Sequence, residues 1–372
     1  MNKALKIILI TILTICFFFS ITPFSTRGNG SSKIFIQADG AVDPPTAPIK
    51  RNGDTYVLTG DIYGASIIVE KDGVTVDGDG HTIQGNNVPL SAGVDLTFRR
   101  YVTVKGLKIM NFYFGILLNG SQYSTVIENT ISSCTYIIAA TGGKNNKIYH
   151  NNFLSSPNRV YGGANQWDNG YPDGGNFWND LYGEDHYLGP LQNINGSDGI
   201  IDQAFEMDED NFDGYPLMGN FFSFKLEKKG ATHSLYMVSN FRVSSVKWDS
   251  DKEEMTFYVD GDTNFKGFCL MCVPHSLLNE TDEILVNETA PQYVNYNLHN
   301  NEAYHWIYFS SDKLGKVRIT SKTSGPEMPE SPLMMITPPL TTIVLLSMLA
   351  IASAVIAIII YRKHIKGSLR KR

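Results

Sequence analysis

Asp77, Asp79 and His81, in the run VDGDGHTI, place two carboxylates and an imidazole within five residues. Glycoside hydrolysis uses two carboxyl groups about 5 to 9.5 Å apart, so the run is a candidate acid pair. Gly-Asp-Gly is also the composition of a tight bend, and the bend is the expected role. A polyuronate lyase would instead need a basic residue to take a proton beside a carboxylate, with cations to neutralise the acid. Lys105, Lys108, Lys144 and Lys147 are available for that chemistry. A copper centre needs His, Met or Cys donors gathered within a few ångströms, and the eight histidines are scattered along the chain. The Cys269-x-x-Cys272 pair reads as part of a strand, where residues three apart face opposite sides and cannot form a disulfide.

Hard cations are the better expectation for the middle of the chain. Between Arg159 and Lys225 there is no Lys or Arg, while twelve acids fall from Asp168 to Asp213. Calcium takes oxygen ligands from loops that alternate Asp, Asn and Gly. Asn195, Asp198 and Asp202 in NINGSDGIID, with Asp208, Asp210 and Asp213 in MDEDNFDG, are the candidate ligands. The same stretch is rich in aromatic residues. Trp167, Tyr171, Trp178 and Tyr182 stand among Asn and Asp, the combination that presents flat rings and hydrogen-bonding groups to a sugar. Their competing role is to plug the open end of an apolar core. Asn119, Asn195, Asn279 and Asn287 head Asn-x-Ser/Thr sequons and are candidate glycan acceptors.

The elements that must position these groups follow from charge and periodicity. Lys3 and Lys6 precede an uncharged apolar run, which reads as a signal peptide over residues 1–26. Residues 340–361 carry no charge and are long enough for a membrane-spanning helix. The basic tail 362–372 then stays on the cytoplasmic side, which places the remainder outside. Removing both basic ends leaves a strongly acidic ectodomain, an unfavourable partner for nucleic acid.

From Val102 onward apolar residues recur every 22 positions: Val104, Val126 and Ile148; Ile109, Ile131 and Phe153; Ile116, Ile138 and Val160. Asn129 stands above Asn151 in the same register. A period near 22 with β-branched runs and Gly/Asn turns predicts a parallel β-helix, whose coils bury a shared core by stacking. We expect it over 33–220, its end an irregular acidic cap. Alternating patterns such as EMTFYVD, HWIYFS and KVRIT predict an antiparallel β-sandwich over 221–321. Residues 322–339 form a Pro/Ser/Glu linker.

VTVDGDGHTI and NNKIYHNNF resemble repeats of the NosD-type, carbohydrate-binding and sugar-hydrolase-like (CASH) β-helix group. Longer strings, among them WDNGYPDGGNFWNDLYGEDHYLGP and GFCLMCVPHSLL, resemble archaeal surface proteins with the same order of parts. The resemblance implies an all-β fold, a right-handed parallel β-helix followed by a small sandwich. NosD itself is a periplasmic accessory factor in copper-site maturation, so a copper-related role is one expectation. The residues favour another: a membrane-anchored surface protein that binds glycans or surface-layer components, stabilised by calcium. A polysaccharide lyase or hydrolase is the alternative.

Overall fold

The 22-residue columns become three parallel sheets that wrap one core. The first contains Ser32–Ile36, Ala65–Val69, Ala92–Asp95, Phe114–Leu117 and Tyr136–Ala139. The second contains Thr55–Leu58, Thr75–Asp77, Thr103–Lys105, Thr125–Ile127 and Lys147–Tyr149, and the third runs from Ile62–Tyr63 to Phe177–Trp178. Val76, Val104, Val126 and Ile148 lie in direct register, as do Ile83, Ile109, Ile131 and Phe153. The strands are short, with the central residue pointing inward and its neighbours outward. Each enclosed Val or Ile contributes about 1.5–3 kcal/mol as an upper estimate. Antiparallel hairpins close the first end, pairing Ser32–Ile36 with Val42–Asp43 and Thr55–Leu58 with Ile49–Asn52.

This computed structural model describes residues 32–154, 162–262 and 266–321, all within one compact unit spanning Met1–Lys322. The expected signal peptide, the linker, the membrane span and the tail lie outside the described residues, and so does Val160. Among the described residues no helix is long and apolar enough to cross a membrane.

Two buried ladders of side-chain amides run beside the apolar core. In one, the Asn129 amide N–H donates to Asn151 Oδ1 at 3.0 Å, and Asn151 N–H to Asn176 Oδ1 at 3.2 Å. In the other, Ser124 N–H donates to Asn146 Oδ1 at 2.9 Å, and Asn146 N–H to Asn165 Oδ1 at 3.1 Å. The turns these residues occupy would otherwise bury unpaired backbone groups. Stacked amides satisfy them coil by coil.

The strand Asn211–Asp213 ends both ladders. Asn211 Oδ1 accepts from Asn165 N–H and from the Trp167 indole, and Asp213 Oδ2 accepts from Asn176 N–H and the Trp178 indole. Trp167 and Trp178 are fully enclosed. They are the plug of the solenoid, which corrects their assignment to a ligand-binding surface.

Residues 220–321 form two antiparallel sheets. Five strands, Asn220–Lys228, Ala231–Ser239, Gly267–Pro274, Tyr304–Ser311 and Tyr293–Asn300, make one; Arg242–Asp249, Glu254–Asp260, Gly315–Ser321 and Thr281–Val286 make the other. Leu235, Met271 and Phe309 from the first share a core with Phe257, Ile284 and Val317 from the second. Cys269 joins this core while Cys272 packs with the residues on the opposite side of the sheet, and both thiols are free. The five-stranded sheet meets the solenoid through Leu217, Phe221, Leu270 and Trp306. Asn152 clamps Phe221 there, accepting from its N–H at 2.7 Å and donating to its carbonyl at 2.8 Å.

Candidate functional site

The repeat that stacks the core also stacks what faces outward. Tyr101 and Tyr123 occupy the same turn of successive coils, with ring centroids 5.4 Å apart and planes 11° from parallel. They are 63% and 47% exposed. Both adopt left-handed backbone, φ 57° and 55°, as does Asn145 one coil further on. That conformation costs a side chain with a Cβ roughly 1–2 kcal/mol, and an exposed ring also forgoes burial energy. Phe98, 66% exposed, lies against Gly120, where a Cβ would stand 2.4 Å from its ring. An exposed aromatic column on strained backbone is a candidate recognition surface.

The column opens into a groove of about 690 Å³ lined by Tyr123, Asn145, Lys147, Gln166, Asp168 and Phe212. Phe212 is 56% exposed and stands between the two ladder-ending residues Asn211 and Asp213. Two exposed rings with amides, a lysine and a carboxylate in the same lining offer stacking and hydrogen bonds in both senses. From the sequence, this chemistry is expected at Trp167, Tyr171, Trp178 and Tyr182. Of that set Tyr182 is 92% exposed and Tyr171 half-buried. Burial, together with the nearby Asp198 carboxylate, pushes the Tyr171 phenol up to about 12.

The six expected calcium ligands do not gather into one cluster, and four of them accept hydrogen bonds from nearby groups. Asp198 is buried and accepts from Gly189 and Ile200 N–H and from the Gln192 side chain. Asp202 accepts from His186 and Tyr187 N–H. Asp208 accepts from Asp210 N–H and the Asn211 side chain, while Asp213 lies at the end of the amide ladder. Asn195 and Asp210 are exposed. Among the described residues no group of three or more His, Cys, Asp or Glu side chains is disposed to hold a metal. Of the sequons, Asn195, Asn279 and Asn287 are exposed and Asn119 is half-buried.

His81 pairs with Asp61 at 3.2 Å rather than with its neighbours in VDGDGHTI. Asp77 is bonded to Lys105 at 3.0 Å and Asp79 to Lys225 at 3.1 Å. These four residues, with Lys108 and Glu128, line a second groove of about 400 Å³ between the solenoid and the strand Asn220–Lys228. Burial raises the Glu128 carboxyl above its ordinary range, against a hydrogen bond from Ser223 and the charge of Lys105. Glu128 escaped the sequence reading because its nearest carboxylate neighbour, Asp77, lies two coils away.

A family model described as "Periplasmic copper-binding protein (NosD)" matches residues 57–183, the segment that contains the regular coils. Residues 57–183 are NosD-like, and the coils they belong to form a parallel β-helix. No curated protein and no solved structure matches it. Copper does not fit the donors of the NosD-like segment. His81 is engaged with Asp61, and His150 is buried against Phe221 with Nε2 2.7 Å from the Asp173 carbonyl. Burial pushes the Cys134 thiol up to about 11, and its sulfur bonds the Ser132 carbonyl. Imidazole and thiolate donors must converge to hold copper, and these stand in three different turns.

Titration of the buried groups gives the chain a distinctive pH response. Burial pushes Asp185 and Asp213 up to about 7 and Asp198 to about 6, while it depresses His150 and His305 to about 4. With an unfolded value of 6.5, the histidines are neutral in both states only above about pH 7.5, and between there and pH 6.5 their opposing slope is smaller than that of the three aspartates. The raised aspartates bind protons more tightly folded than unfolded, so their destabilisation is full above pH 7 and is relieved as pH falls. The thermal midpoint is therefore expected to rise from pH 8 to pH 6.5. Below that the histidines, which resist protonation when folded, oppose the gain until pH 4. Scanning calorimetry across pH 4–8 checks this, and a midpoint that falls steadily from pH 8 contradicts it.

Proposed function

We propose that this protein binds glycan chains outside the cytoplasmic membrane, with the exposed Tyr101–Tyr123 column as its platform. The observation that carries the reading is the pair of stacked, solvent-facing rings on left-handed backbone, continuous at Tyr123 with an amide-lined groove. The periplasmic description of the matched family supports an export destination. So do the expected signal peptide and the basic tail after residues 340–361, which would anchor the chain by a single helix. We read the two antiparallel sheets as a β-sandwich that stands between the solenoid and this anchor.

The full chain and a Tyr101→Ala/Tyr123→Ala variant, run over a panel of immobilised polysaccharides, test the reading. Retention of the native chain on at least one polysaccharide, weakened tenfold or more in the variant, is the expected result; tenfold corresponds to about 1.4 kcal/mol. Both rings are exposed, so stability should change by no more than about 0.5 kcal/mol. Equal retention of the two proteins, or none of either, refutes the proposal.

Polysaccharide cleavage is the second reading, favoured by the half-buried Glu128 carboxyl beside the lysine-paired Asp77. Two carboxyl groups in different environments, one half-buried and one paired with a lysine, are the arrangement that glycosidases use. Product release in the same panel, lost in Glu128→Gln, would establish it.

A further inference from the structure

Three columns of residues run from coil to coil at the tyrosine turn. Tyr101 and Tyr123 form the ring column, with Asn145 next in line. One position earlier in the chain, Arg100, Gln122 and Lys144 bridge successive coils in parallel register. Two positions after the rings, Thr103, Thr125 and Lys147 are also in register, and Lys147 bridges on to Gln166. Neighbouring coils are about 4.8 Å apart, so the backbones of Arg100 and Lys144 stand about 10 Å apart along the axis, with Gln122 between them.

The free charge of this surface has one sign. Arg100, Lys144 and Lys147 are exposed, and among the described residues none of them pairs with a carboxylate. Lys71, Arg99 and Lys105, on the same solenoid, are matched by Asp54, Asp72 and Asp77. The two carboxylates that border the surface are engaged. Asp72 accepts from Arg100 N–H and faces the Arg99 guanidinium, and Asp168 accepts from Gly170 and Gly214 N–H. In a chain of net charge -6, three unmatched cations beside exposed rings are not what average composition supplies. Exposed like charges at that distance repel weakly through water, and an anion laid along them removes the repulsion.

We propose that the ligand of the tyrosine face is an anionic polysaccharide, its sugar rings stacked on Tyr101 and Tyr123 and its carboxylate or sulfate groups paired with Arg100, Lys144 and Lys147. The inference rests on the glycan reading above and adds the charge of the ligand to it. Arg100 offers a planar fork suited to an anion with two oxygens, and the lysines act as point charges toward either group. Gln122, Thr103 and Thr125 supply neutral hydrogen bonds to hydroxyls between the charged groups. The cations follow the coil repeat that spaces the rings, which suits a polymer with recurring acids better than a single small anion.

Retention of the full chain on immobilised polygalacturonate, dextran sulfate and uncharged dextran tests this. Exposed ion pairs are individually weak, and three together should make binding to at least one acidic polymer about tenfold tighter than binding to dextran. That advantage should shrink as salt rises. Arg100→Gln/Lys144→Gln/Lys147→Gln should lose it, whereas Lys229→Gln/Lys247→Gln/Lys252→Gln, at three exposed lysines of the antiparallel half, should bind as the native chain does. Which acidic polymer is held identifies carboxylate or sulfate as the recognised group. Equal retention on all three polymers overturns the proposal, and so does native-like binding by the first variant or an equal loss in the second. If Tyr101→Ala/Tyr123→Ala still weakens retention in those cases, the platform stands and only the charge of its ligand is wrong; if it does not, the glycan reading falls as well.

Discussion

Asn176→Ala is expected to lower the unfolding free energy by about 3–5 kcal/mol, measured by urea denaturation. The Asn176 side chain donates to the Ile148 carbonyl at 2.8 Å and to the Trp167 carbonyl at 2.7 Å. Its Oδ1 accepts from the Asn151 amide N–H and from Asn151 Nδ2 at 3.0 Å. Alanine removes these four bonds, and a longer one from Nδ2 to Asp213 Oδ2, in a place without solvent, since Asn176 is fully buried. The partners cannot turn to water, so most of the desolvation cost is retained. Asn193→Ala, at an exposed position, should change stability by less than about 0.5 kcal/mol. Equal effects at the two positions would refute the structural role of the ladder.

Gly175→Ala is the second large effect, expected to cost about 3 kcal/mol. A Cβ at Gly175 would lie 1.8 Å from Asp213 Oδ1 and 2.4 Å from its Cγ. Neither side can give way. The Gly175 carbonyl accepts from His150 N–H at 2.7 Å, and its N–H donates to the Tyr215 carbonyl at 2.8 Å. Asp213 is held by Asn176, Trp178 and Tyr215 donors. Residues in direct contact depart from additivity, so the Gly175→Ala/Asp213→Ala double variant should be little worse than Asp213→Ala alone. Denaturation midpoints of the three variants measure this, and additive losses would show that the crowding lies elsewhere.

Why some of this was legible in the sequence is a matter of which interactions are periodic. Val104 over Val126 over Ile148 could be read because each coil repeats the same inward position, and Asn129 over Asn151 because a turn amide bonds to the next coil. Tyr101 over Tyr123 has the same 22-residue spacing, so the outward column was available to the same reading. It was passed over because the aromatic-rich stretch from Trp167 drew the sugar-binding assignment. The direction those indoles face was not available. Strand alternation is lost after Phe153, and the groups that turn the rings inward, Asn211 and Asp213, are 44 and 35 residues further along. Density of acids is ambiguous for a related reason: Asp198, Asp202 and Asp208 accept backbone N–H groups of nearby loop residues, a local task that composition does not distinguish from ion binding. Glu128 and Ser223 come together only through the packing of sheets.

The plug formed by the Asn211–Asp213 strand has a bearing on how such a molecule can vary. Because each amide rung contacts only its neighbours and the seal grips only the last rungs, a whole 22-residue coil could be inserted or removed upstream without altering how the end is closed. Each such change would move the seal by one strand spacing, about 4.8 Å, and add or delete one step of the tyrosine face. The reach of the surface along its ligand is thus a quantity that gene duplication could tune in discrete increments, with the stability of the terminus left untouched.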